Sequence, residues 1–156
     1  MQSTLTVREC RADELDAFVD NYHRMWSAIG GVAFEPDWRV RTYAFVHEAR
    51  ERRAFRAFVA EAGGRLVGSA GGQLHDHSIT PNVRKPWDKR IGYVWGVYVD
   101  PGYRGHGLAR MLMEALLAYF RELDCTHVRL HASALGRPVY ERLGFTPTNE
   151  MQLTLR

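Results

Sequence analysis

Residues 91–123 constrain the fold more than any other stretch. Ile91 to Val99 is apolar at almost every position, as expected of a central strand covered on both faces. A glycine-rich turn follows, Asp100-Pro101-Gly102-Tyr103-Arg104-Gly105-His106-Gly107. Then Leu108, Met111, Leu112, Ala115, Leu116, Tyr119, Phe120 and Leu123 recur at helical spacing and form one apolar stripe. The start of a helix leaves backbone N–H groups unpaired and carries partial positive charge, so a phosphate or pyrophosphate binds there readily. Gly105 and Gly107 let the backbone approach an anion with no Cβ in the way, and Ala109 keeps the first turn slim. Such a loop, taken bare, is also an ordinary tight turn. No Gly-Lys-Ser/Thr follows, which excludes a Walker-type loop, and the third glycine of a dinucleotide fingerprint is missing. Gly96 interrupts the strand, and an interior glycine predicts a bulge or the close approach of a backbone or ligand.

The other elements arrange themselves around this unit. Residues 4–9 read as a first strand. Residues 13–28 read as a helix, with Leu15, Val19, Tyr22 and Trp26 three or four apart and Gly30-Gly31 ending the run. Residues 36–53 predict a second helix, and 55–60 and 65–74 two strands joined at Gly63-Gly64. Residues 75–89, polar with two prolines, read as a loop. Residues 127–131 alternate as a half-buried strand does. Residues 135–143 predict a short helix capped by Gly144, its stripe of Leu135, Val139 and Leu143 leaving Tyr140 at the rim. Residues 145–155 are expected to finish the sheet. Strands alternating with helices in this order predict an α/β fold with a mixed central sheet.

Composition excludes several classes. The 156 residues suit one domain with its own core, and 46% hydrophobic with 25% charged residues argues against disorder. The formal charge is +3, and the densest basic cluster, Arg50, Arg52, Arg53 and Arg56, is broken by Glu51, so no nucleic-acid partner is expected. Cys10 and Cys125 form no CxxC pattern and imply a reducing compartment. No leader and no membrane span are recognisable, so a soluble, cytoplasmic protein is expected. In a strand His75 and His77 would share one face, but further ligands at recognisable spacing are missing, and no metal is expected.

Arg104-Gly105-His106-Gly107-Leu108-Ala109, between an apolar strand and a long amphipathic helix, resembles the acetyl-CoA signature of the GNAT N-acetyltransferase family, Gln/Arg-x-x-Gly-x-Gly/Ala. A second stretch, Leu130-His131-Ala132-Ser133-Ala134-Leu135-Gly136-Arg137-Pro138-Val139-Tyr140-Glu141-Arg142-Leu143-Gly144-Phe145, resembles that family's other signature, a strand leading to a short helix with a tyrosine and a Gly-Phe stop. The resemblance implies a mixed central β-sheet of six or seven strands flanked by about four helices. It implies one domain over 1–156, with acceptor-site elements at about 11–54 and an acetyl-CoA core at about 91–145. Arg104, Gly105, His106, Gly107, Leu108 and Ala109 would then cradle the pyrophosphate of acetyl-CoA, the acyl donor. Val97, Tyr98 and Val99 would offer backbone hydrogen bonds to its pantetheine arm. Ser133 stands where many members have an asparagine near the cofactor. Homodimers are common on this fold.

The implied activity is acetyl transfer to a primary amine of a small molecule or protein; the alternative is a non-catalytic acyl-CoA sensor. Tyr140 matches the tyrosine that can protonate the leaving thiolate, a role a phenol of ordinary pKa suits; the other reading is a core aromatic. The amine must also lose a proton. Some members place a glutamate on this strand, whereas this chain has Tyr93 and Trp95. Candidate bases are Glu35, His75, His77, His131 and Glu150; His131, ending a strand beside the second motif, leads them, and a water chain without a dedicated base is the other route. Tyr22, Trp26, Phe34 and Trp38 either pack the first two helices onto the sheet or hold a hydrophobic or cationic acceptor.

Overall fold

The computed structural model describes residues 4–75 and 90–155. The elements run β1 (Leu5–Glu9), α1 (Leu15–Ile29), α2 (Trp38–Arg52), β2 (Arg56–Ala62), β3 (Arg65–His75), β4 (Ile91–Val99), α3 (Leu108–Glu122), β5 (His127–Leu130) and α4 (Arg137–Arg142). Short 3₁₀ turns, Ala12–Glu14 and Pro101–Tyr103, lead into α1 and toward α3. The sheet has the order β1-β2-β3-β4-β5, antiparallel except for the parallel β4–β5 pair that α3 connects.

Each face of the sheet carries its own core. On one face α1 and α2 cover alternate residues of β2: Phe18, Val19, Val46 and Ala49 pack with Phe55, Ala57 and Val59, and Trp95 of β4 joins them. On the other, α3 buries Leu108, Leu112, Met113, Leu116 and Phe120 against Ala60, Val67, Ala70, Val94 and Val99, with Tyr140 of α4 in the same cluster. Each fully buried leucine or phenylalanine contributes roughly 1.5–3 kcal/mol. Met113 lies outside the predicted stripe yet is fully buried. Helix α2 is less committed to the core: Val46 and Ala49 are its buried residues, while Val40 and Phe45 are exposed.

Two expectations need correction. The sheet has five strands among the described residues, not six or seven, because 145–155 form no strand. Met151, Leu153 and Leu155 alternate as a strand would, but they stand 94%, 81% and 87% exposed. Alternation makes a strand only where a neighbouring edge supplies hydrogen-bond partners, and none among the described residues meets this segment. The helix expected over 135–143 is shorter: it starts at Arg137 with Pro138 in its first turn, and Leu135 is 72% exposed outside it. The expected loop at 75–89 lies outside the described residues apart from its ends. No described helix is long and apolar enough to cross a membrane.

Candidate active site

The site begins where the sheet comes apart. Strand β5 pairs with β4 only from Ile91↔His127 to Val94↔Leu130. Residues 95–99 continue β4 with β3 on one side and, among the described residues, no partner strand on the other. Of the two readings of Gly96, a bulge is present. Ser69 pairs with Tyr98 and Gly71 with Trp95, so Ala70 of β3 opposes both Gly96 and Val97. Gly96 adopts φ +66°, and a Cβ there would meet Phe18 at 2.9 Å and Tyr22 at 3.6 Å, both on α1. The bulge re-aims β4 and holds its open edge against α1.

From this edge the chain enters the glycine loop. Asp100 is buried and accepts a hydrogen bond from Arg65 Nη2 at 3.2 Å, and its carbonyl accepts from the Tyr103 amide at 2.9 Å. Arg104 Nε donates to the Val99 carbonyl at 3.0 Å, tying the loop to the end of β4. His106 Nδ1 donates to the Arg104 carbonyl at 2.9 Å, folding that ring back on its own loop. Gly105 and Gly107 adopt φ +79° and +81°, with no atom within 4 Å of a Cβ placed on either. Residues 104–107 are exposed, and the first α3 amide paired inward is that of Met111, to Gly107 at 3.0 Å. The amides ahead of it therefore face outward at the positive end of the helix. Leu108 contributes only backbone here, because its side chain is in the core. This donor set suits a pyrophosphate: amides and a helix dipole beside an arginine, with room for backbone approach.

Tyr140 is not at the rim. It is 9% exposed, its ring 6.0 Å from that of Phe145 and pressed over Gly136, where a Cβ would lie 2.9 Å from the ring and 3.1 Å from the hydroxyl. Because the helix begins at Arg137, Tyr140 rather than Leu135 becomes its inward residue. Burial pushes the phenol above its ordinary pKa, so the group stays protonated. Ser133 Oγ accepts the Gly136 amide at 3.1 Å and closes the turn before α4.

Other predicted residues gather on the α1 face. Tyr93, on the same side of β4 as Trp95, is hydrogen-bonded to Nδ1 of His131, and the His75 ring stacks 5.1 Å from Tyr93. Burial raises the Tyr93 phenol, and the nearby Tyr22 and Glu150 act in the same direction. Glu35 is exposed before α2, and His77 lies outside the described residues. Beside this group a groove of about 280 Å³ opens between α1 and α2, walled by Tyr22, His23, Trp26, Phe34 and Trp38 with Val32. Tyr22 links the two, 5.1 Å from Trp95 and 6.3 Å from Trp26. The four aromatics singled out in the sequence thus share one wall. His23 went unnoticed: it stacks on Trp38 at 4.3 Å and leans on Phe34 at 4.1 Å. Its spacing from Trp26 gave no hint, since its partners lie across the α1–α2 connection. Gln73, buried and accepting from Trp95 Nε1 at 3.1 Å, was also unmarked. Among the described residues no group of three or more potential metal ligands gathers.

The sequence and the fold are similar to those of known proteins. The profile of the acetyltransferase (GNAT) family matches residues 15–145. A glucosamine 6-phosphate N-acetyltransferase of Trypanosoma brucei brucei is 35% identical over 100 residues, which make up 64% of this chain and 63% of that protein. A mycothiol acetyltransferase of Catenulispora acidiphila is 36% identical over 92 residues, 57% of this chain and 27% of that protein. The chain therefore spans less than two thirds of the length of these relatives. Among solved structures, a predicted acetyltransferase with acetyl-CoA from Clostridium acetobutylicum has the same fold, with a TM-score of 0.83 at 24% identity over 97% of both chains.

Proposed function

The chain belongs to the acetyltransferase (GNAT) family, and from that premise we propose that it is an N-acetyltransferase, moving an acetyl group from acetyl-CoA to a primary amine. The observation that carries this reading is the edge of β4 left open beyond Val94, running straight into the outward amides of residues 105–109. An extended pantetheine lies along Val97, Tyr98 and Val99 as a surrogate strand, and the pyrophosphate takes the loop amides with Arg104 alongside. Ser133, already engaged by the Gly136 amide, closes the far side.

The chemistry divides between the two faces of the sheet. The amine nitrogen attacks the thioester carbonyl, the C–S bond breaks, and coenzyme A leaves as a thiolate. Tyr140, on the α3 face, gives its proton to that sulfur. The Val97 amide, beside the bulge, stabilises the oxygen on which charge develops. On the α1 face His131 takes the proton from the amine. For Nε2 to accept it, Nδ1–H must donate to the Tyr93 oxygen, so Tyr93 sets the tautomer. A reducing, cytoplasmic setting, with Cys10 and Cys125 as free thiols, belongs to the same reading.

Acetyl-CoA at a hundred times its Kd should stabilise the fold by about 2.7 kcal/mol, a rise in Tm of roughly 5–10 °C for a chain of this size. An unchanged Tm would end the proposal. Tyr140→Phe keeps the ring against Phe145 and Gly136 but removes the acid. It should retain the full thermal shift and lose about 100-fold in kcat for CoA release with an amine acceptor. Equal turnover by both proteins would remove Tyr140 from the chemistry.

A further inference from the structure

We propose that the α1–α2 groove is the acceptor site and that it selects amines with a single flat apolar body, the arylalkylamine class, over polycations and phosphorylated sugars. The inference rests on the acetyltransferase reading and names its second substrate.

Three observations support it. The first is lining. Among the described residues no Asp, Glu, Lys or Arg lines the groove; its walls are the rings of Tyr22, His23, Trp26, Phe34 and Trp38. The Thr42 hydroxyl, the aliphatic alcohol among the lining groups, already donates to the Trp38 carbonyl at 2.8 Å. A polyamine or aminoglycoside needs several carboxylates, and a sugar phosphate needs cations. Three carboxylates on or just before the two helices are already engaged: Arg39 holds both Asp16 and Asp20, and Arg41 Nε holds Asp37 at 2.8 Å, while Glu35, beside Phe34, is exposed and outside the lining. Aromatic faces, in contrast, receive an aromatic body by stacking and an alkylammonium by cation–π attraction.

The second observation is size. About 280 Å³ lies just below the usual range for small-molecule sites, roughly 300–1,000 Å³, and suits one or two fused rings. The third is position. Tyr22 belongs to the groove wall and also lies 3.6 Å from a Cβ placed at Gly96, the bulge beside the open edge of β4. A ring held between Trp26 and Trp38 therefore directs a short aminoalkyl chain past Tyr22 toward Gly96 and the Tyr93–His131 pair.

The test compares 2-phenylethylamine and tryptamine with spermidine and glucosamine 6-phosphate. CoA release gives kcat/KM with acetyl-CoA, and calorimetry gives binding of each amine to the protein alone. We expect the two aryl amines to exceed the others at least tenfold in kcat/KM and to bind measurably without acetyl-CoA. Trp38→Ala and Trp26→Ala should each raise KM for 2-phenylethylamine about tenfold, with the acetyl-CoA thermal shift intact and Trp38→Phe restoring most of the loss. Higher kcat/KM for spermidine or glucosamine 6-phosphate overturns the proposal, as does an unchanged KM in folded Trp→Ala variants. Failure of the parent reading looks different: acetyl-CoA then gives no thermal shift, and aryl-amine binding by calorimetry still decides whether the groove selects this class.

Discussion

At Gly92 a Cβ would lie 2.5 Å from the ring of Phe120, and at Gly72 one would lie 2.7 Å from the same ring. The missing side chains on β3 and β4 are what let α3 seat a phenylalanine directly on the sheet. Gly92→Ala should therefore destabilise the fold by about 1–3 kcal/mol through overpacking, read as a lower urea midpoint with unchanged m. A midpoint equal to that of the parent would show that Phe120 moves aside at no cost. Gly92 drew no notice in the sequence because it stands at the start of the apolar run, whereas Gly96 interrupts the middle of it. Tyr140 shows the same divide. Its type and its Gly-Phe stop were legible, but its burial depends on Gly136 leaving room for its ring.

At the scale of elements, the start of the chain is held by a compact ion network. Glu14 of the 3₁₀ turn accepts from Arg8 Nη1 and Nη2 of β1, both at 2.8 Å, and Glu61 of β2 accepts from Arg8 Nε at 3.1 Å. The Arg8 hydrogen bonds, helped by the Arg11 amide, lower the Glu14 carboxyl from 4.5 to about 2. A carboxyl with a lower pKa in the folded state than in the unfolded state contributes stability above the unfolded value. That contribution fades as pH falls through the folded one. Glu14→Gln should thus lower Tm at pH 7, and the gap between variant and parent should close between about pH 4.5 and about pH 2. A gap independent of pH would assign the effect to packing instead. The α3 stripe was readable from spacing alone. The last expected strand was not, because a strand needs a second edge that alternation cannot provide.

At the scale of the whole molecule, the split between β4 and β5 joins two chambers that the sheet otherwise keeps apart. The α3 face carries the amides and Tyr140; the α1–α2 face carries Tyr93, His131 and the aromatic groove. A donor threaded through the split touches both, so its binding should register in hydrogen exchange along the open edge and the glycine loop. Acetyl-CoA should slow hydrogen exchange at residues 95–99 and 104–109 and leave the β1–β2 pair unchanged. Protection confined to other segments would mean the donor binds elsewhere.

The apolar run of β4, the glycine loop and the stripe of α3 were determined by the sequence alone, because each is set by spacings within a few residues and by backbone preferences that act locally. Gly96 marked a bulge or a close approach at that point, and pairing with β3 makes it a bulge. Tertiary structure alone decided that five strands form among the described residues, that Tyr140 turns inward, that His23 completes an aromatic wall, and that Tyr93 meets His131 across 38 positions of chain. These outcomes depend on which distant surfaces come into contact and on how much room a glycine leaves there. Neither is written into the pattern of any single segment.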